Sequence, residues 1–297
     1  VKSLTMPAVA MLAATVLAAC PVTAYADDTG PGPYREYVAL GDSYSADASL
    51  SQATAEFVPW GCYQSMHNYP KQIAAALHVP TFRDATCTGA KTTSMAGPQE
   101  MWFDTNTPEF DRLSPNTDLV TLQVGANDAD MFITIPTCVS TGPAVSPCHD
   151  RYVVNGDDAM QDKIRAVEPE LVATIAGIRA RSPHARILML DYPQAGPVDH
   201  GCYPTMPFGT TDAIWSGTLM LTMNAVIRQV AAETGVEYVD TYTGSAGHDV
   251  CQPDGVRWFE GVVPWSDYPV GLAAPLHPNQ LGADYQARTV LAAIGQP

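Results

Sequence analysis

Positive charge is scarce in this chain. Lys and Arg number 15 against 31 Asp and Glu, giving a formal net charge of −16 at pH 7. That balance argues against nucleic acid or anionic membrane surfaces as partners, and it fits solubility outside the cell. Charge of either sign is thin at 15% of residues, while 46% are apolar, so a sizeable core can be buried. No block of like charge and no internal repeat interrupts the sequence. No apolar run is long enough to form a transmembrane helix. No Cys-x-x-Cys pair or histidine cluster has zinc-ligand spacing, so neither a metal nor a cofactor is expected.

The first residues read as an export signal. Lys2 precedes an apolar, Ala-rich stretch over 7–19, and Ala24-Tyr25-Ala26 supplies a small-x-small cleavage site before Asp27. Residues 1–26 are therefore expected to be a signal peptide, 27–35 a linker and 36–297 one monomeric domain. Leu17-Ala18-Ala19-Cys20 offers an alternative, a lipoprotein box in which Cys20 is lipidated. Either route places the protein outside the cytoplasm. Discounting Cys20, six cysteines remain: Cys62, Cys87, Cys138, Cys148, Cys202 and Cys251. An even number in an exported chain implies disulfides.

Strand patterns at 37–40, 81–85, 118–124, 186–190 and 236–240 alternate with helical patterns at 69–78, 158–181, 211–234 and 281–294. Pro169 near the middle of 158–181 predicts a kink or two helices. The run at 118–124 is almost wholly apolar or β-branched, as a strand buried on both faces should be. Alternation of this kind predicts a parallel five-stranded sheet covered by helices on both faces, with ligands beyond the carboxyl ends of the strands. The loops after the strands gather at that end. Cys62 and Cys87 follow the first two strands, Cys138 and Cys148 share the loop after the third, and Cys202 and Cys251 follow the fourth and fifth. Pairing in sequence order follows.

Chemistry enters with Tyr37-Val38-Ala39-Leu40-Gly41-Asp42-Ser43, where a β-prone run stops in Gly-Asp-Ser. A serine on such a strand-to-helix turn exposes its hydroxyl and sets its backbone N–H near a helix N-terminus. Three other elements fall at the same end: Cys87-Thr88-Gly89-Ala90 after the second strand, Gly125-Ala126-Asn127-Asp128 after the third, and Leu276-His277-Pro278-Asn279 before the last helix. Singly, Gly89 reads as a turn glycine, Asn127 as a helix cap and His277 as a packed histidine. Together with Ser43 they supply a nucleophile, a base and oxyanion donors.

These stretches, with TDLVTLQVGANDA, AGHDVC and LHPNQLGADYQA, resemble the SGNH, or GDSL-type, hydrolases. The likeness is greatest to disulfide-containing esterases and lipases secreted by actinobacteria, and it spans about residues 36–294. It implies a flavodoxin-like three-layer α/β/α sandwich, an ester substrate, Ser43 and His277 as catalytic residues, and an oxyanion hole of Ser43, Gly89 and Asn127. Its three in-order disulfides agree with the pairing above. Tyr44 stands where many relatives have leucine, a variant of little concern. Ala274 stands where the family usually has the Asp that orients the base. The carbonyl of Ala274 is the expected substitute, with Asp267 the runner-up. Asp42 reads as a brace of its turn, and His248-Asp249 as part of a bridged loop beside Cys251.

Large apolar residues crowd the post-strand loops, among them Trp60, Trp102, Phe103, Phe132, Met206, Phe208 and Phe259. They form either an acyl-binding groove or ordinary packing under long loops. Acyl ester hydrolysis, as in lipid metabolism, is the leading reading. A polysaccharide or cell-wall O-deacetylase and a non-catalytic binding protein, the latter motivated by Ala274, are the alternatives. Alpha/beta-hydrolase and trypsin-like chemistry fit poorly: there is no Gly-x-Ser-x-Gly elbow, and Tyr-Ser rather than Gly-Gly follows Gly-Asp-Ser.

Overall fold

The computed structural model describes residues 32–47 and 50–296. The expected signal peptide, its cleavage site and Cys20 lie outside them. Five parallel strands form the central sheet: β1 (Glu36–Gly41), β2 (Thr81–Asp84), β3 (Leu119–Gln123), β4 (Arg186–Leu190) and β5 (Glu237–Val239). Their spatial order is β2-β1-β3-β4-β5. This is a flavodoxin-like order, with β1 flanked by the strands that carry the two other expected oxyanion loops.

Strand alternation explains the two layers around the sheet. Val38, Leu40, Val120, Leu122, Ile187 and Met189 face one way, into a core shared with the helices Glu168–Arg181 and Thr210–Thr234. Tyr37, Ala39, Leu119, Leu188, Leu190 and Val239 face the other, against the helices Tyr69–Ala76 and Gln280–Ile294. Fully burying such side chains contributes roughly 1.5–3 kcal/mol each.

The pattern at 158–181 resolves into two helices, Ala159–Arg165 and Glu168–Arg181. Pro169 sits in the first turn of the second, where its missing N–H leaves no bond unmade. Part of the expected linker belongs to the fold. Arg186 donates to the Tyr34 hydroxyl at 2.8 Å, and the Arg35 N–H donates to Asp118 Oδ2 at 2.8 Å. Disulfides join Cys62 to Cys87, Cys138 to Cys148 and Cys202 to Cys251, the sequence-order pairing. No described helix is long and apolar enough to cross a membrane.

Candidate active site

β1 can turn sharply because it ends in glycine. Gly41 has φ +149°, and a Cβ there would lie 2.5 Å from the Gln123 carbonyl of β3. The next N–H, of Asp42, donates to that carbonyl at 3.0 Å. Asp42 then caps the short helix α1 (Ser43–Ala46), its Oδ1 accepting the Tyr44 N–H at 2.9 Å. Its other oxygen accepts the Tyr192 hydroxyl. Burial pushes the Asp42 carboxyl up to about 7, against those hydrogen bonds, which pull it down. Asp42 thus braces the turn, and Ser43 becomes the first residue of α1.

The Ser43 hydroxyl lies 2.7 Å from His277 Nε2. On the far side of the imidazole, Nδ1 lies 2.7 Å from the Pro275 carbonyl. A carbonyl only accepts, so this contact puts the ring proton on Nδ1 and leaves Nε2 free to accept from Ser43. The expected substitute for the family's Asp was the Ala274 carbonyl. That group instead receives the His277 backbone N–H at 3.4 Å. The turn at Leu276, in the left-handed region at φ +61°, swings the Pro275 carbonyl under the ring. Asp267 sits on the small hairpin Trp265–Asp267/Val270–Leu272 and makes no hydrogen bond to His277. Burial lowers the His277 pKa from its ordinary value, partly offset by the bond to Pro275, which favours the neutral ring that a base requires.

The loops expected to hold an oxyanion flank this pair. The Cys87 N–H donates to the Gly41 carbonyl at 2.9 Å and the Thr88 N–H to the Cys62 carbonyl at 3.1 Å, laying the β2 loop along the serine turn. Gly89 adopts φ +77°, a conformation that L side chains rarely take. The backbone N–H groups of Ser43 and Gly89 have no acceptor among the described residues. Asn127 is buried, and its Nδ2 donates to the Ala90 carbonyl at 3.0 Å, leaving the second amide hydrogen unspent. Asp128 clamps the two loops by accepting the Thr92 N–H and hydroxyl. The Ala126 N–H donates to the Tyr192 hydroxyl at 3.2 Å, so one tyrosine braces both the β1 and β3 loops.

Tyr44, set aside in the sequence, is central. Its hydroxyl donates to the Leu276 carbonyl at 2.8 Å, tying the serine turn to the histidine turn. Its ring stacks on Phe132 and Phe259 and lies 5.5 Å from the imidazole. Glu260 frames the other side: its N–H donates to the His277 carbonyl and its carbonyl accepts the Leu276 N–H. No motif flags these contacts.

The crowd of loop apolar residues divides. Phe208 and Phe259 are core. Phe132 and Met206 join Tyr44, Met220, Val250 and Leu276 around a narrow apolar pocket beside the Ser43–His277 pair. Trp60, Trp102 and Phe103 lie outside it, in solvent. Of the remaining histidines, His248 stacks on Trp258 and bonds the Val256 carbonyl.

Residues 39–285 match the GDSL-like Lipase/Acylhydrolase family. The chain is 34% identical over 302 residues to Lipase 2 of Streptomyces coelicolor, covering 99% of this chain and 97% of the relative. Among solved structures, an extracellular lipase from Streptomyces rimosus superposes with a TM-score of 0.69 at 26% identity, covering 87% of this chain and 99% of the other. A phospholipase A1 from Streptomyces albidoflavus gives 0.67, also at 26% identity and with the same coverage.

Proposed function

The chain belongs to the GDSL-like lipase/acylhydrolase family and is a carboxylic ester hydrolase, and on that premise we propose that it cleaves acyl esters through Ser43 and His277 by an acyl-enzyme route. The observation that carries this reading is the 2.7 Å contact of Ser43 Oγ with His277 Nε2, backed by the Pro275 carbonyl on Nδ1. His277 accepts the serine proton as Oγ attacks the ester carbonyl. The Ser43 and Gly89 N–H groups and the Asn127 amide receive the oxyanion. Collapse of the tetrahedral intermediate expels the alcohol, which takes the proton from His277. Water, deprotonated by the same histidine, then attacks the acyl-enzyme and frees the acid.

The lipase and phospholipase A1 relatives favour the lipase or esterase over the O-deacetylase, and the apolar walls of Tyr44, Phe132 and Leu276 next to the pair are compatible with an acyl group. The reading as a non-catalytic binding protein loses its motive, because a backbone carbonyl supplies the contact that Ala274 cannot. Secretion is part of the proposal. It is supported by three disulfides, which persist in oxidising compartments, and by the extracellular S. rimosus relative.

Hydrolysis of p-nitrophenyl esters from acetyl to palmitoyl, comparing wild type with Ser43→Ala, tests the reading. Ser43→Ala or His277→Ala is expected to lower kcat by about 10⁴-fold or more. Turnover that survives Ser43→Ala would refute the assignment, and activity confined to the acetyl ester would favour the deacetylase.

A further inference from the structure

The loop after β2 ends in two aromatic side chains that the fold leaves uncovered. Trp102 and Phe103 are 94% and 93% exposed. Side chains of this size bring the largest gain when buried, so full exposure of two in succession is a feature to explain. They sit on a supported tip, between the paired segments Gln99–Glu100 and Thr105–Asn106. Gln99 Nε2 donates to the Thr88 carbonyl at 2.8 Å, one residue before Gly89. Met101 packs on Gly61, where a Cβ would come within 3.0 Å of its sulfur. Trp60, also exposed, precedes that glycine. Trp102 and Phe103 thus sit on the loop that carries Gly89, and Trp60 on the segment that the Cys62–Cys87 bridge ties to that loop.

We propose that Trp102 and Phe103 insert into the surface of uncharged or zwitterionic lipid aggregates and seat the active site on its substrate. The proposal rests on the acyl-ester reading above, since the lipid surface is where the ester resides. Ring geometry separates this occupant from a polysaccharide. The two rings cross at 78° with centroids 6.0 Å apart, so they share no flat face on which a sugar could stack. Divergent rings on a hairpin tip suit the interfacial zone of a lipid layer, where tryptophan is enriched. Charge selects the lipid. From residue 92 to 111 there is no Lys or Arg, while Glu100 and Asp104 flank the tip, and the whole chain carries −16. Anionic headgroups attract polybasic segments, and this surface is the reverse.

The test is sedimentation with phosphatidylcholine vesicles, comparing wild type with the double variant Trp102→Ala/Phe103→Ala. Both side chains lie outside the core, so the variant keeps its fold. Wild type is expected to sediment with the vesicles. The variant is expected to bind at least tenfold more weakly and to hydrolyse vesicle lipid correspondingly more slowly, with soluble p-nitrophenyl butyrate turned over at the wild-type rate. Admixed phosphatidylglycerol is expected to weaken binding. Equal binding by the two proteins overturns the proposal, as does wild-type binding that requires phosphatidylglycerol, or retention on acetylated xylan in place of the vesicles. Failure of the esterase reading is a separate result: wild type would then be inactive on the soluble ester, whatever the sedimentation shows.

Discussion

Behind Ser43 the fold buries carboxyl groups; behind His277 it sets backbone carbonyls. On the serine side Asp42 caps α1, Glu109 accepts the Gly41 N–H at 2.8 Å, and Asp47 closes the helix. All three are buried, and desolvation raises the pKa of each. On the histidine side the imidazole meets the Pro275 carbonyl, and the Leu276 carbonyl takes the Tyr44 hydroxyl. The carboxylate that is present there, Glu260, is spent on Ser266, Asn279 and Arg257 and does not bond the ring. Fixed negative charge behind a base stabilises the imidazolium, whereas charge beneath an oxyanion opposes it. The fold therefore sets no carboxylate against the imidazole, while burial disfavours the charged form of the carboxyl groups near Ser43. Orientation, which a neutral carbonyl supplies as well as a carboxylate, is what the histidine turn retains.

Four substitutions break or sharpen this contrast. Asn127→Ala removes a proposed oxyanion donor from the serine side, and kcat is expected to fall about 10²–10³-fold with little change in KM. Steady-state kinetics on p-nitrophenyl butyrate read the split directly. Asp42→Asn keeps the cap but abolishes the ionisation. With its pKa raised from 3.8 to about 7, the Asp42 contribution to stability is complete below the lower value and is lost as pH climbs through the higher one. Denaturant unfolding should therefore show the variant gaining on wild type from pH 4 to pH 8, by at most ~4 kcal/mol. A constant difference across that range would mean that Asp42 is ionised in the fold.

On the histidine side, Tyr44→Phe deletes one hydroxyl and leaves the Leu276 carbonyl without its donor. A loss of about 1 kcal/mol, or roughly fivefold in kcat, is expected with unfolding still cooperative. Ala274→Asp offers the missing charge and has the smallest effect. Rates near neutral pH should stay within about threefold, because the Pro275 carbonyl already fixes the tautomer. The acid limb of kcat/KM, expected below the ordinary histidine value of 6.5 because burial lowers the His277 pKa, should move to higher pH as the new carboxylate favours the imidazolium.

How legible the molecule was from its residues depended on the range of the interactions involved. Strands such as Leu119–Gln123 and Arg186–Leu190 announced themselves through β-branched and apolar runs, whereas Thr81–Asp84, with Arg83 and Asp84, was marked more by its place in the alternation; Gly-Asp-Ser, Thr-Gly and Ala-Asn-Asp fell on the loops after the first three. What escaped depends on tertiary geometry. Residue type alone predicts that some carbonyl near Ala274 faces Nδ1; which one is decided by the left-handed turn at Leu276. The partner of Tyr44 lies 232 residues away, and no local pattern encodes it. Loop aromatics look alike in sequence, yet Phe259 is wholly buried and Trp102 wholly open. The two- and three-residue strand pairs were missed because they are too short to show alternation.

The hydrogen bond between Ser43 and His277 spans 234 residues. A ribosome therefore finishes the serine turn long before it makes the histidine, and the sheet can assemble from β1 to β5 around a hydroxyl that has no base. On the proposed mechanism, hydrolytic capacity arrives as a late event of synthesis, when the turn from Pro275 to His277 closes onto Tyr44 and Gln280–Ile294 docks on the sheet. A chain stopped before that point would carry most of the core but not the proposed base, so the order of the residues itself would keep the proposed site silent until the fold that contains it is nearly formed.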